Sequence, residues 1–176
     1  MSARSQQSGF TMIEVLVTIA ILVVGLLGLA AMQTLATLAE LEAYQRSQAI
    51  VLVRDMADRM NANKANLPAY EVLDLGLTPL NCSALTGPLL DRCEWNNLLN
   101  GVSEKADSGT RNVGAMIGAR GCITRQDAQT YIVTIAWQGL SRAGVPVETC
   151  GAGAFGNDEQ RRTVSTVVRL ALLAAP

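Results

Sequence analysis

The chain opens on a short polar stretch, Met1–Gly9, whose only charged side chain is Arg4. The pattern then changes abruptly at Phe10-Thr11-Met12-Ile13-Glu14-Val15-Leu16-Val17. From Val15 to Met32 there is no charge, and Thr18 is the only conventionally polar side chain. As a helix this run reaches about 27 Å, close to the hydrocarbon thickness of a bilayer. It is longer than the apolar core of a secretory signal peptide, and Gln33 onward offers a poor small-residue exit site. The pattern predicts a membrane-spanning helix. The helical signal does not end there, because no proline occurs before Pro68 and Ala, Leu, Glu, Gln and Arg dominate residues 33–60. Ala49, Leu52, Met56 and Met60 recur at helical spacing as one apolar stripe, while Arg46, Arg54, Asp55, Asp58 and Arg59 supply charged surface. Asp55 and Arg59 stand at the favourable i, i+4 spacing. A single helix from Phe10 to about Asn63, roughly 80 Å long, is expected.

Beyond the helix the periodicity shortens. Residues 61–118 are punctuated by Asn61, Asn63, Asn66, Pro68, Gly76, Pro79, Gly87, Pro88, Gly101 and Gly109, a connecting region of turns. Within it Cys93–Leu99 reads as a short helix, with Trp95 as a core anchor. Thr130–Trp137 is rich in β-branched and aromatic residues and places Tyr131, Val133, Ile135 and Trp137 on one face. Ala119–Thr124 reads as its hairpin partner across the polar turn Arg125–Gln129. A last strand, Thr163–Ala171, alternates with Val164, Thr166, Val168 and Leu170 on one face. An antiparallel sheet with one apolar face needs a cover, and the apolar stripe of the long helix supplies it. The expected class is α+β. Its divisions are residues 1–9 as a leader, 10–33 as the membrane half of the helix, and 34–63 as the amphipathic half. Residues 64–176 form a globular head, with the connecting region at 64–118 and the sheet at 119–172.

Composition narrows the chemistry. Apolar residues make up 49 % of the 176 but aromatics only 4 %, so the long helix carries much of the hydrophobicity. With a formal charge of −1 and Arg161-Arg162 as the densest basic pair, nucleic acid is not an expected partner. Histidine is absent, which removes imidazole acid–base work, Ser/His and Cys/His nucleophile pairs and the commonest metal ligand. Asn157, Asp158 and Glu159 lack the spacing of an EF-hand calcium loop. No catalytic residue, metal or cofactor is expected.

The four cysteines, Cys82, Cys93, Cys122 and Cys150, form no C-x-x-C pair, which disfavours a zinc ribbon or a thioredoxin-like site. An even number downstream of a membrane segment suits an oxidising compartment. Three pairings are open. Nearest-neighbour bonding, Cys82–Cys93 with Cys122–Cys150, is preferred, each bond being worth roughly 3 kcal/mol on a chain-entropy basis.

Glu14 is the anomaly of the apolar segment, since an unpartnered carboxylate deep in lipid costs a few kcal/mol. If the chain is cut after Gly9, Glu14 falls in the first turn of the helix, where the dipole favours negative charge. The new amine of Phe10 then lies nearby, in the same chain or a neighbour. Gly25, Gly28 and Ala31 place small residues on one side, consistent either with close helix packing or with ordinary membrane-helix composition.

The segment Gly9-Phe10-Thr11-Met12-Ile13-Glu14-Val15-Leu16 resembles the class III signal of type IV prepilins and type II secretion pseudopilins. The resemblance implies cleavage by a prepilin peptidase after Gly9, N-methylation of Phe10, and a role for Glu14 in recruiting and registering subunits. Val24–Gln33 and Asp55–Asn63 further resemble minor pilins of the PilV family, the type IV pilus modification proteins. This implies a pilin fold, with a helical spine packed on a small antiparallel sheet. It also implies an inner-membrane, single-pass precursor with a periplasmic C-terminal head that later enters a pilus filament or its tip. The implied partners are prepilin peptidase, other minor and major pilins, the inner-membrane assembly platform, a tip adhesin, and membrane lipid before assembly. The implied function is a minor pilin that primes pilus assembly or joins the tip complex in motility or adhesion. A minor pseudopilin of a type II secretion system is the alternative. A membrane-anchored periplasmic enzyme or binding module is a third reading, for which no constellation of catalytic residues is found.

Overall fold

A single helix, α1, runs from Met12 to Ala62 and takes up 51 residues. Its ends suit the helix dipole, with Glu14 in the first turn and Arg59 in the last. The computed structural model describes residues 9–103, 112 and 116–170. Leader residues 1–8, much of the later connecting region and the end of the expected last strand at Ala171 lie outside the described residues. The chain divides into two units, Met1–Leu41 and Glu42–Pro176, with α1 continuous across the division.

In the first unit every described residue is exposed, including the whole apolar run from Val15 to Met32. This helix meets the length and hydropathy of a membrane span with none of that window buried. So much uncovered apolar surface calls for lipid or other protein around it.

The second unit builds its own core. The remaining elements, in chain order, are β1 (Val72–Leu75), α2 (Gly87–Leu99), β2 (Arg120–Arg125), β3 (Thr130–Gln138) and β4 (Arg161–Arg169). A 3-10 turn, Lys64–Tyr70, joins α1 to β1. The strands form one antiparallel meander in the order β1-β2-β3-β4. Ile123 pairs with Val133, Ile135 with Val164, and Tyr131 with Val168, so their side chains share one face of the sheet. That face joins Ala49, Val53, Met56, Ala57 and Met60 of α1 in the main core, together with Trp95 and Leu99 of α2. The buried stripe follows steps of four, three and four from Ala49 through Val53 and Met56 to Met60. Leu52 therefore falls to the margin, partly buried, rather than lying on the central line expected for it.

Three features are more extensive than the sequence pattern indicates. The helix expected at Cys93–Leu99 begins six residues earlier at Gly87, with Pro88 in its first turn, where a missing N–H does no harm. β1 lies inside the region whose sequence reads as a connecting region of turns. β4 starts at Arg161 rather than Thr163.

Trp95 is fully buried, and its indole N–H donates to the carbonyl of Leu52 at 2.9 Å, tying α2 to α1. The ring lies against Gly121 so closely that a Cβ there would stand 2.6 Å from Trp95 Cη2 and 2.7 Å from Leu99 Cδ1. At Gly121 the absent side chain is what lets α2 lie this close to the sheet.

Of the three cysteine pairings, the structure has Cys82–Cys93 and Cys122–Cys150, each with Cα atoms 5.8 Å apart. The second bond sits on the opposite face of the sheet, where Cys122, Ala136, Cys150 and Phe155 form a small separate core. It fastens the long β3–β4 connection, residues 139–160, against that face. Two consecutive arginines at the start of β4 fasten the same connection from both sides. Arg161, almost wholly buried, donates to the carbonyls of Pro146 (3.3 Å), Glu148 and Cys150 (3.1 Å), and pairs with Asp158 at 3.0 Å. Arg162, on the other face, donates to the carbonyl of Ser141 at 2.8 Å.

Candidate assembly site at the N-terminus

The candidate site residues Gly9, Phe10 and Glu14 lie together at the start of α1. Gly9 and Phe10 precede the helix without regular structure. The carbonyl of Thr11 opens the helix by accepting from the amides of Glu14 (3.1 Å) and Val15 (3.4 Å). A Cβ at Gly9 would meet nothing within 4 Å, and Phe10 is 84 % exposed. Glu14 is exposed in the first turn, where unpaired backbone N–H groups make the field favourable to a carboxylate. Further along, the Thr18 hydroxyl donates to the carbonyl of Val15 at 2.8 Å, so the one hydroxyl of the run is satisfied by its own helix.

The cysteines belong to the second unit and are placed as fasteners, with no free thiol among the described residues. Asn157, Asp158 and Glu159 are taken up locally. Asn157 Oδ1 accepts from the amide of Glu159 at 3.0 Å, and Asp158 holds Arg161 and the amide of Gly153. No group of three or more potential metal ligands is found among the described residues. A shallow groove of about 430 Å³ on the outer sheet face is lined mainly by Leu73, Thr124, Ile132, Thr134 and Val147, and offers binding area without a catalytic cluster.

Three polar clusters among the described residues reach beyond the sequence reading. Arg59 pairs with Asp55 (3.0 Å), Asp91 (3.3 Å) and Glu94 (2.6 Å), while Tyr70 donates to Asp91. Burial, with the hydrogen bond to Asp91 beside it, pushes the Tyr70 phenol up to about 12. Asn96 and Asn97 act as backbone mimics. Asn96 accepts from Gly76 N–H at 2.7 Å and donates to Thr78 carbonyl at 2.7 Å, and Asn97 bonds both backbone groups of Leu80. Glu42 accepts bonds from the β3–β4 connection. Of the three, only the Asp55–Arg59 pair carried a local signal; the other partners are distant in sequence.

An exposed apolar helix running on into a disulfide-fastened antiparallel sheet is a pilin-like architecture. Residues 31–86 match the family described as Type IV pilin Tt1218, and residues 4–30 match the prokaryotic N-terminal methylation motif. Over these adjoining stretches the chain is type IV pilin-like. The motif implies processing by prepilin peptidase and assembly with pilins, and with the apolar helix it points to membrane anchoring and a pilus location. No curated protein and no solved structure matches the chain.

Proposed function

We propose that this protein is a minor pilin of a type IV pilus, of the PilV kind, which primes assembly or joins the filament tip. The observation that carries the reading is the coincidence of an N-terminal methylation motif with a fully exposed apolar helix continuous with a sheet-forming unit. The precursor is held in the inner membrane by residues 10–33 with its C-terminal unit in the periplasm. Cleavage after Gly9 and methylation of Phe10 yield the mature subunit. Extraction of α1 from lipid into a bundle of like helices then covers its apolar surface. Glu14, one turn into the helix, meets the Phe10 amine of a neighbour, and the ion pair sets the register as lipid is exchanged for protein. The chemistry is association rather than turnover.

Mass spectrometry of the mature N-terminus tests the processing. A mature chain beginning with N-methylated Phe10 is expected; a chain retaining Met1, or one cut inside the apolar run, overturns the reading. A minor pseudopilin would be processed in the same way. A deletion strain separates the two, because the pilus reading expects loss of piliation or twitching with protein secretion intact.

A further inference from the structure

We propose that Glu42 is a positioning residue, a latch that joins α1 to the β3–β4 connection and so sets the point at which the helix becomes free. One carboxylate oxygen, Oε1, accepts from the amide of Leu140 (3.1 Å), the amide of Ser141 (3.0 Å) and the Ser141 hydroxyl (2.7 Å). The guanidinium of Arg162 stands 3.4 Å from the same oxygen and itself holds the Ser141 carbonyl. These donors come from residues 98 to 120 positions away, so the cluster is built by the fold rather than by local sequence.

Its place on the helix gives it consequence. No described residue ahead of Glu42 is buried, and Glu42 is the first residue of the second unit. Between it and Ala49, where the apolar stripe begins, Gln45 is the only buried residue, and its Oε1 has no hydrogen-bond partner. The hydrophobic core therefore grips α1 only from about Ala49 onward. Without the Glu42 bonds, roughly two further turns, about 10 Å of helix, are held by little more than Gln45. Two successive backbone N–H groups and a hydroxyl converging on one oxygen form a donor site suited to a carboxylate or amide oxygen, with Arg162 adding charge. The functional consequence rests on the pilin reading. The stretch of α1 free of its own sheet is the stretch available to neighbouring helices, and Glu42 decides its length.

Hydrogen exchange on the full-length protein in detergent micelles tests the latch independently of processing or assembly. Glu42→Ala is expected to speed exchange of the Leu140 and Ser141 amides at least tenfold and to increase exchange over 43–48. Amides in β3 and in residues 53–60 are expected to keep their protection. Glu42→Gln, which retains an acceptor oxygen, is expected to restore most of the protection at 140–141, and Arg162→Gln to lose less than Glu42→Ala. Unchanged exchange at 140–141 in Glu42→Ala overturns the proposal. So does an increase spread evenly over the sheet, or a Glu42→Gln variant as exposed as Glu42→Ala. Failure of N-terminal processing, in contrast, would overturn the pilin reading and leave these exchange rates untouched.

Discussion

At Gly121 a single hydrogen atom decides whether α2 can lie on the sheet. A methyl group there would meet the Trp95 ring and Leu99 Cδ1 well inside van der Waals contact, and Trp95 is pinned by its bond to Leu52. Gly121→Ala is expected to cost about 1–3 kcal/mol through overpacking, and Gly121→Val more. Denaturant unfolding in micelles measures this, and wild-type stability in both variants would contradict it. Tyr70 allows a second test at this scale. Its phenol is held neutral by burial and by donation to Asp91, with a folded value of about 12 against an ordinary value near 10. A group raised in the folded state adds stability that is fully present below its unfolded value and is lost as pH rises through the folded one. Stability from Tyr70 should therefore decline between about pH 10 and pH 12. Ultraviolet titration should show one of the three tyrosines ionising late, a step that Tyr70→Phe removes.

Among the elements, the two disulfides should differ in worth. Cys82 and Cys93 are 11 residues apart, and the segment leading into Cys82 is also held at Gly76, Thr78 and Leu80 by the side-chain amides of Asn96 and Asn97. Cys122 and Cys150 are 28 apart and fasten a long connection with little regular structure, over a core of only four buried residues. Removing the second bond as Cys122→Ala/Cys150→Ala should cost about 3–4 kcal/mol, and removing the first should cost less. Comparison of the two double variants by thermal unfolding decides the order. The elements also show which features were legible. α1 announced itself because a long charge-free run leads directly into an amphipathic one, and β3 because its apolar residues alternate without interruption. β1 was hidden because it has only four residues, one of them Asp74, between Pro68 and Gly76. Its pairing with β2 is a tertiary fact with no local signature. The start of α2 was masked by Gly87-Pro88, which reads as a turn until the proline is recognised as a first-turn residue. At the N-terminus Gly9, Phe10 and Glu14 stood out because the abrupt polar-to-apolar change and the lone carboxylate resemble a class III signal. Glu42 did not, because its donors are brought to it only by the folded sheet.

For the molecule as a whole, the division at Glu42 separates two kinds of surface. Residues 10–41 have no buried side chain and an apolar surface suited to lipid or to like helices, whereas the later unit has two cores, two covalent ties and its own ion pairs. A truncated protein beginning at Glu42 is therefore expected to be soluble without detergent and to unfold cooperatively with its near-ultraviolet dichroism intact. Aggregation of that fragment, or absence of fixed tertiary signal, would mean that the first unit is needed for folding.

The paired arginines of β4 have a further effect on how such a sheet reaches its final form. Arg162 lies opposite Trp137 and Arg161 opposite Gln138, so the pleat sends one guanidinium to each side. A one-residue slip of β4 would turn Arg161 toward the apolar layer beside Trp137 and deprive Arg162 of both Glu42 and Ser141. Such a one-residue slip strands a cation, whereas the native alignment is one in which both charges find acceptors. The pair thus proofreads the register of the edge strand as the sheet forms.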